Sequence, residues 1–333
     1  MPNVQAGLHS GPGSGEGILK SAKWRPFFAM ICAMGWALAF PLIKVGYREL
    51  HIAAADTSSK ILFAGIRFTF AGLLVLLFCL LTKKDLHIKS RSNFCWLLFF
   101  ALVNTTLHYL FSYVGLGYIP SSRGTILDSM GNFFLIIFSC ALFADDLFTW
   151  GKLWGCLLGL AGIFLINFEP GGNFFSNITF MGDGMLLLNA LFSASGGIIT
   201  RMISQRINIV AATGYSMAIG GMALCFISLA AGPAAAWDLS PAGILVILAL
   251  VMISAVCFYI YNQLLSYHPI SKVAIFCSFV SVLGVFYSAL LLGEPLKWQY
   301  VAAAVTVSGG VYIVNRDREA GTGGWRSGAC GKR

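Results

Sequence analysis

An all-α membrane protein of ten transmembrane helices, arranged as two inverted five-helix repeats, is predicted from three observations. The 333-residue chain is 58% apolar and only 11% charged, with a mean hydropathy of +0.80, which leaves too few charges to cover a water-facing surface. Apolar runs long enough for a helix to cross a ~30 Å hydrocarbon core can be marked ten times. Finally, Ala161-Gly162-Ile163-Phe164-Leu165-Ile166-Asn167 returns 148 residues later as Gly309-Gly310-Val311-Tyr312-Ile313-Val314-Asn315. Each copy follows an acidic residue and a tryptophan at the same spacing, Asp146 with Trp150 and Glu294 with Trp298.

In order, the spans fall at 24–46, 61–81, 94–117, 122–143, 150–168, 183–203, 211–231, 241–263, 271–292 and 298–315. Lys20, Lys23 and Arg25 precede an apolar run that reaches Val45 without a small-residue cleavage site, so the first run is a spanning helix and not a signal peptide. The connections near 118–122 and 293–297 are tight turns. The short alternating segments of a membrane β-barrel are absent. Residues 1–23, rich in Gly, Ser and Pro, and residues 316–333, mixing charge with Gly, are expected to be loose cytoplasmic tails. Between them lie a first repeat, 24–168, an external linker, 169–182, and a second repeat, 183–315.

The basic residues orient this arrangement. With the N-terminus inside, the inner segments collect sixteen Lys and Arg, among them Lys83, Lys84, Lys89, Arg91, Lys152, Arg201, Arg206 and Lys272. The outer segments collect four: Arg48, Lys60, Arg123 and Lys297. Both termini are therefore expected in the cytoplasm of a multi-pass protein of the plasma (inner) membrane. Five helices per repeat is an odd number, so the second repeat enters upside down. A second match supports this: Tyr118-Ile119-Pro120-Ser121-Ser122-Arg123 parallels Tyr267-His268-Pro269-Ile270-Ser271-Lys272 at an offset of 149.

Composition also excludes functions. The net charge of +9 sits in short segments between apolar runs, where it sets topology, so nucleic acid is not an expected partner. The nine cysteines are scattered without metal-ligand spacing, so neither a metal nor another cofactor is expected. No G-x-x-x-x-G-K-[ST] loop is present to cradle a nucleotide.

Charged side chains inside spans are costly and should face a cavity or one another. Three stand out: Lys44 near the outer rim, and Arg67 and Asp128, each about six residues and ~9 Å below the outer boundary. His108, roughly 13 Å down, adds a titratable group, and Asn132 and Asn262 add hydrogen-bonding capacity. In one reading a central polar cavity binds substrate through Lys44, Arg67, Trp36, Tyr109, Asn132, Tyr259 and Asn262, with Asp128 and His108 coupling protons. In the other, Arg67 and Asp128 form a helix-fixing ion pair, Lys44 snorkels, and His108 and the aromatic rings merely pack. Gly151, Gly155 and Gly159 form a flat stripe that serves either packing within the chain or a homodimer.

Gly35-Trp36-Ala37-Leu38-Ala39-Phe40-Pro41-Leu42-Ile43-Lys44 resembles the first-helix motif of the EamA family in the drug/metabolite transporter superfamily, and Arg67-Phe68 its second-helix Arg-Phe. Gly293-Glu294-Pro295-Leu296 followed by Gly309-Gly310-Val311 is similar to its Gly-Glu-x-Leu and Gly-Val signature. The chain departs from that pattern at Asn132 and Ser281, where members often carry proline, and at Asp146, where glutamate is usual. The resemblance implies a non-enzymatic secondary transporter exporting a drug or metabolite, amino acids being among the family's substrate classes. The net +1 of Lys44, Arg67 and Asp128 favours an anionic or zwitterionic solute. A lipid flippase on the same fold is the alternative, and a membrane-embedded enzyme a further one.

Overall fold

The computed structural model describes residues 14–88, 90–142, 150–167, 178–232, 237, 240–268, 273, 276–277 and 279–321. These residues form helices without a strand. Among the described residues, seven stretches are long and apolar enough to cross a membrane, where ten spans were expected: Arg25–Glu49, Thr57–Leu81, Arg91–Leu116, Ser121–Leu142, Phe180–Ile203, Ile209–Ala231 and Pro241–Tyr267. The helices are α1 (Ser14–Lys20), α2 (Arg25–Glu49), α3 (Thr57–Leu81), α4 (Arg91–Ala101), α5 (His108–Leu116), α6 (Ser121–Asp128), α7 (Met130–Leu142), α8 (Trp150–Asn167), α9 (Met185–Ile203), α10 (Ile209–Ala231), α11 (Pro241–Tyr267), α12 (Phe279–Leu292) and α13 (Trp298–Gly321).

Polar side chains start these helices by accepting the otherwise unpaired first N–H groups. Asp56 takes the N–H of Ser59 at 2.9 Å before α3, Ser90 that of Asn93 at 3.1 Å before α4, and Ser240 that of Gly243 at 3.0 Å before α11. Pro241 follows at the first helical position, where a missing N–H costs nothing.

Three boundaries differ from expectation. The span expected at 61–81 begins at Thr57, because the Asp56 cap adds a turn, so Lys60 is a fully buried helical residue and not part of an outer segment. Arg123 is likewise buried in the first turn of α6. Both expected tails contain helix: α1 lies within 1–23, and α13 continues through residues 316–321. Leu19 of α1 is buried beside Leu264 and Leu265 of α11, and its carbonyl oxygen lies 2.9 Å from His268 Nε2.

We call the end bearing α1 and the 82–90 and 204–208 connections the terminal end, and the opposite end, bearing 50–56, 117–120 and 293–297, the far end. Helix α3 packs against α10, and α8 against α13; α2 lies on α11 and α12, and α9 on α5 and α7. The crossings are close because small residues face each other. A Cβ on Gly72 would meet the backbone N of Ala218 at 2.3 Å and the oxygen of Gly214 at 2.7 Å. One on Gly65 would meet the N of Cys225 at 2.8 Å and the oxygen of Gly221 at 3.0 Å. Gly214 and Gly221 follow Gly65 and Gly72 by 149 residues each. The stripe on α8 is used in the same way: the oxygen of Gly155 lies 2.6 Å from where a Gly310 Cβ would be, and Gly159 faces Phe133. Gly155 and Gly159 are therefore covered within the chain.

Candidate functional site

A cavity of about 140 Å³ lies between the helices, with walls from α2, α3, α5, α6, α7, α9, α11 and α12. Two of its walls are irregular, which turns polar groups inward. A π-helical turn, Leu102–Leu107, interrupts α4 and α5 and brings Asn104 and His108 to the cavity. The fourth span breaks at Ser129, between α6 and α7. There the Ser129 hydroxyl lies 2.9 Å from the oxygen of Thr125 and 2.7 Å from Ser281 Oγ.

Arg67 faces the cavity at 2% exposure. Counted from Thr57 it lies ten residues into α3, roughly 15 Å, deeper than the sequence suggests. Its Nε donates to Ser254 Oγ at 2.7 Å and a terminal nitrogen donates to Tyr113 Oη at 2.9 Å. The Tyr113 backbone oxygen accepts from Tyr47 Oη at 2.7 Å, so the guanidinium is braced by neutral hydroxyls. Asp128, half-buried on the cavity wall, accepts from Asn189 Nδ2 at 2.6 Å. Arg67 and Asp128 thus share a cavity, and their recorded hydrogen-bond partners are neutral groups; the ion pair expected from their depths is not among the recorded ion pairs of the described residues.

The remaining expectations divide. Trp36, Tyr109, Asn132, Asn262 and His108 all line the cavity. The Trp36 ring packs edge-on against Tyr261 at 4.7 Å and Phe258 at 5.6 Å. Tyr109 tilts over Phe68 with ring centres 3.7 Å apart, and Asn262 Nδ2 donates to Thr213 Oγ1 at 2.7 Å. His108 stacks on Tyr109, its Nδ1 3.2 Å from the Asn104 oxygen. Lys44 and Tyr259, expected as substrate ligands, lie outside the lining. Lys44 is one residue beyond the lining Ile43 and points toward the far end, within electrostatic reach of Glu294 and Lys60. Tyr259 turns to the other face of α11, edge-on to Phe78 and beneath Lys84, and Tyr261 takes the cavity position.

Sequence reasoning missed Ser254 as a brace; Tyr113, legible as an aromatic ring for the cavity wall, and Asn189, legible as a hydrogen-bonding amide inside a span, become braces only beside their partners. The offset of 149 was a usable signal. Tyr109 and Phe258, Ser112 and Tyr261, Asp128 and Cys277, and Gly131 and Val280 each stand 149 residues apart, and all eight line the cavity. Arg67 corresponds at that offset to Ser216, which hydrogen-bonds Thr105 at 3.1 Å, just as Arg67 bonds Ser254, the residue 149 beyond Thr105.

The cavity is nearer one end. Thr200 and Leu265 lie within about one turn of the terminal ends of α9 and α11, whereas Phe40, Arg67 and Asp128 sit roughly two to three turns from the far end. Edge-on rings of Tyr47, Phe63, Tyr113 and Trp237 fill that far region.

The chain is similar to several known proteins. An uncharacterized transporter of Bacillus subtilis, YvbV, is 24% identical over 288 residues, covering 86% of this chain and 89% of its own length. A Salmonella typhimurium protein named "Probable amino-acid metabolite efflux pump" is 25% identical over 299 residues, with coverage of 86% and 93%. A crystal structure at 15% identity superposes with a TM-score of 0.65, covering 87% of this chain and 98% of the other, a likeness of fold alone. The model of the EamA-like transporter family matches residues 23–168 and again 180–316, and this chain belongs to that family.

Proposed function

We propose that this chain is a secondary-active transporter that moves a small zwitterionic or anionic metabolite by alternating access, and that it exports it. The observation that carries the reading is the pair Arg67 and Asp128: opposite charges facing one cavity, each held by neutral donors or acceptors. A charge at membrane depth costs about 2.5–3.5 kcal/mol on insertion scales. A solute carboxylate on Arg67 and an ammonium on Asp128 would offset that cost for both. Phe258, Val280 and the ring of Tyr261 add apolar lining to the same cavity, so the favoured solute has a charged head and an apolar body.

Two inverted five-helix repeats are the framework of this reading. The packing supports them: exchanging the halves maps α3 with α10 and α8 with α13 onto themselves, and α2 with α11 onto α9 with α5. The matched glycines favour the same relation. Asp128, with His108, Arg67 and Cys277 around the same cavity, is the candidate proton carrier. The basic residues favour termini inside the plasma (inner) membrane.

Solute counterflow in proteoliposomes tests the reading, with amino acids, organic acids and nucleoside-type metabolites offered with and without a pH gradient. Arg67→Gln is expected to cut flux at least ten-fold with yield and folding intact; equal flux in the variant would overturn the role of Arg67, and flux of lipid alone would favour a flippase.

A further inference from the structure

We propose that residues 121–123 form the far-end gate of the solute path, held shut by two carboxylates of the opposite half, Glu294 and Asp183. The proposal rests on the reading of the cavity as that path. Glu294 binds the first turn of α6 through three contacts: the N–H of Ser121 at 2.7 Å, the N–H of Ser122 at 3.0 Å and the Ser122 hydroxyl at 2.6 Å. The adjacent residue is held from another side, since Asp183 Oδ1 accepts from Arg123 Nε and lies 2.6 Å from its NH2 group. The second oxygen of Asp183 accepts the Thr179 N–H at 2.9 Å.

The local sequence explains how Glu294 reaches α6. Gly293 ends α12 in the left-handed region, at φ +65°, where a side chain would be strained, and Pro295 prevents continuation of the helix. The turn therefore projects Glu294 across to the first half. A carboxylate on free N–H groups at a helix start is a strong, charge-assisted contact, yet it is made through a few atoms and can be broken as a unit. Arg123 and Asp183 make a second contact of that kind.

Position makes these contacts a gate. They lie at the far end, beyond the packed rings of Tyr47, Phe63, Tyr113 and Trp237, and each joins the first half to the second. Helix α6 is eight residues long and meets α7 at Ser129, which keeps helical backbone angles (φ −61°, ψ −16°) but interrupts the regular hydrogen bonding, so a movement of α6 would bend its span there. Its last residue is Asp128. Release of residues 121–123 would therefore move the solute-facing carboxylate and open the far end together. Lys60 adds to the closed state, its ammonium on the Ala54 oxygen and 4.2 Å from the centre of the Tyr118 ring.

The experiment places a cysteine at Ser193, on the cavity wall, and measures its labelling by a membrane-impermeant maleimide added to either face of sealed vesicles. The same chain without that cysteine supplies the background. Glu294→Ala is expected to raise far-side labelling about five-fold and lower terminal-side labelling, with Glu294→Gln between. Labelling that keeps its sidedness in both variants would overturn the gate. A second arm, Ser122→Cys with Glu294→Cys, closes the contact with an oxidative cross-link: flux should stop and return on reduction, and full flux through the cross-linked protein overturns the proposal. Labelling needs no solute, so a shifted pattern without flux would refute the solute reading alone, and Arg67-dependent flux with unshifted labelling would refute the gate alone.

Discussion

The chemistry of the site depends on what Arg67 and Asp128 are denied. Had they been paired, the cavity would carry a neutral unit with little to offer a solute. Ser254 and Tyr113 hold the guanidinium plane through two of its donors, and Asn189 holds one oxygen of Asp128. From the proposed proton role it follows that Asp128→Asn should abolish the dependence of flux on a pH gradient, and, because the same carboxylate is proposed to hold the solute ammonium, counterflow should fall as well. An unchanged response to ΔpH, measured in proteoliposomes, would remove Asp128 from the coupling. Asn189→Leu should reduce solute affinity by about ten-fold, since a neutral-to-charged hydrogen bond contributes about 1.5–3 kcal/mol. An unaltered half-saturation concentration would show that Asn189 does not position the carboxylate.

At the scale of elements, small residues decide which helices meet. The crossing of α3 and α10 has backbone against backbone, so neither side has room for even one added methyl group. Gly72→Val is accordingly expected to destabilise the protein by about 1–3 kcal/mol, seen as a lower Tm in detergent and a reduced folded yield. Gly309→Val, at a glycine whose Cβ would meet nothing within 4 Å, should leave the Tm close to the parent value and serves as the control. The breaks in helices follow a related logic. The π-helical turn at Leu102–Leu107 and the interruption at Ser129 both lie on the cavity, where freed backbone and hydroxyl groups are polar surface for a solute.

For the whole molecule, the two halves share a scaffold and differ in their chemistry. Positions 149 residues apart line the same cavity, yet Asp128 answers to Cys277 and Arg67 to Ser216. The charged groups of the cavity, Arg67 and Asp128, thus both come from the first half. The orientation proposed from the basic residues is open to direct measurement. A cysteine at Gly17, in α1, should label from the cytoplasmic face only, and one at Lys297, in the 293–297 turn, from the external face only. Labelling of both from one face would overturn the proposed orientation.

Much of this was legible in the sequence, because lipid imposes simple rules: a helix must be apolar for a fixed length, and a charge inside it needs a reason. Those rules marked ten runs that include the seven spans found among the described residues, and separated Arg67, Asp128 and His108, which line the cavity, from the rest. What they could not supply was direction. Tyr259 and Tyr261 are two residues apart on one helix, yet only tertiary packing decides which faces the cavity. Lys44 and Lys60 depended on where the Asp56 cap begins a helix and on which turn covers them. The sequence by itself determined the membrane, the family resemblance and the charges that require partners. The partners were a decision of tertiary structure, since Arg67 meets Ser254 from 187 residues away and Glu294 meets Ser122 from 172, contacts that no local pattern encodes.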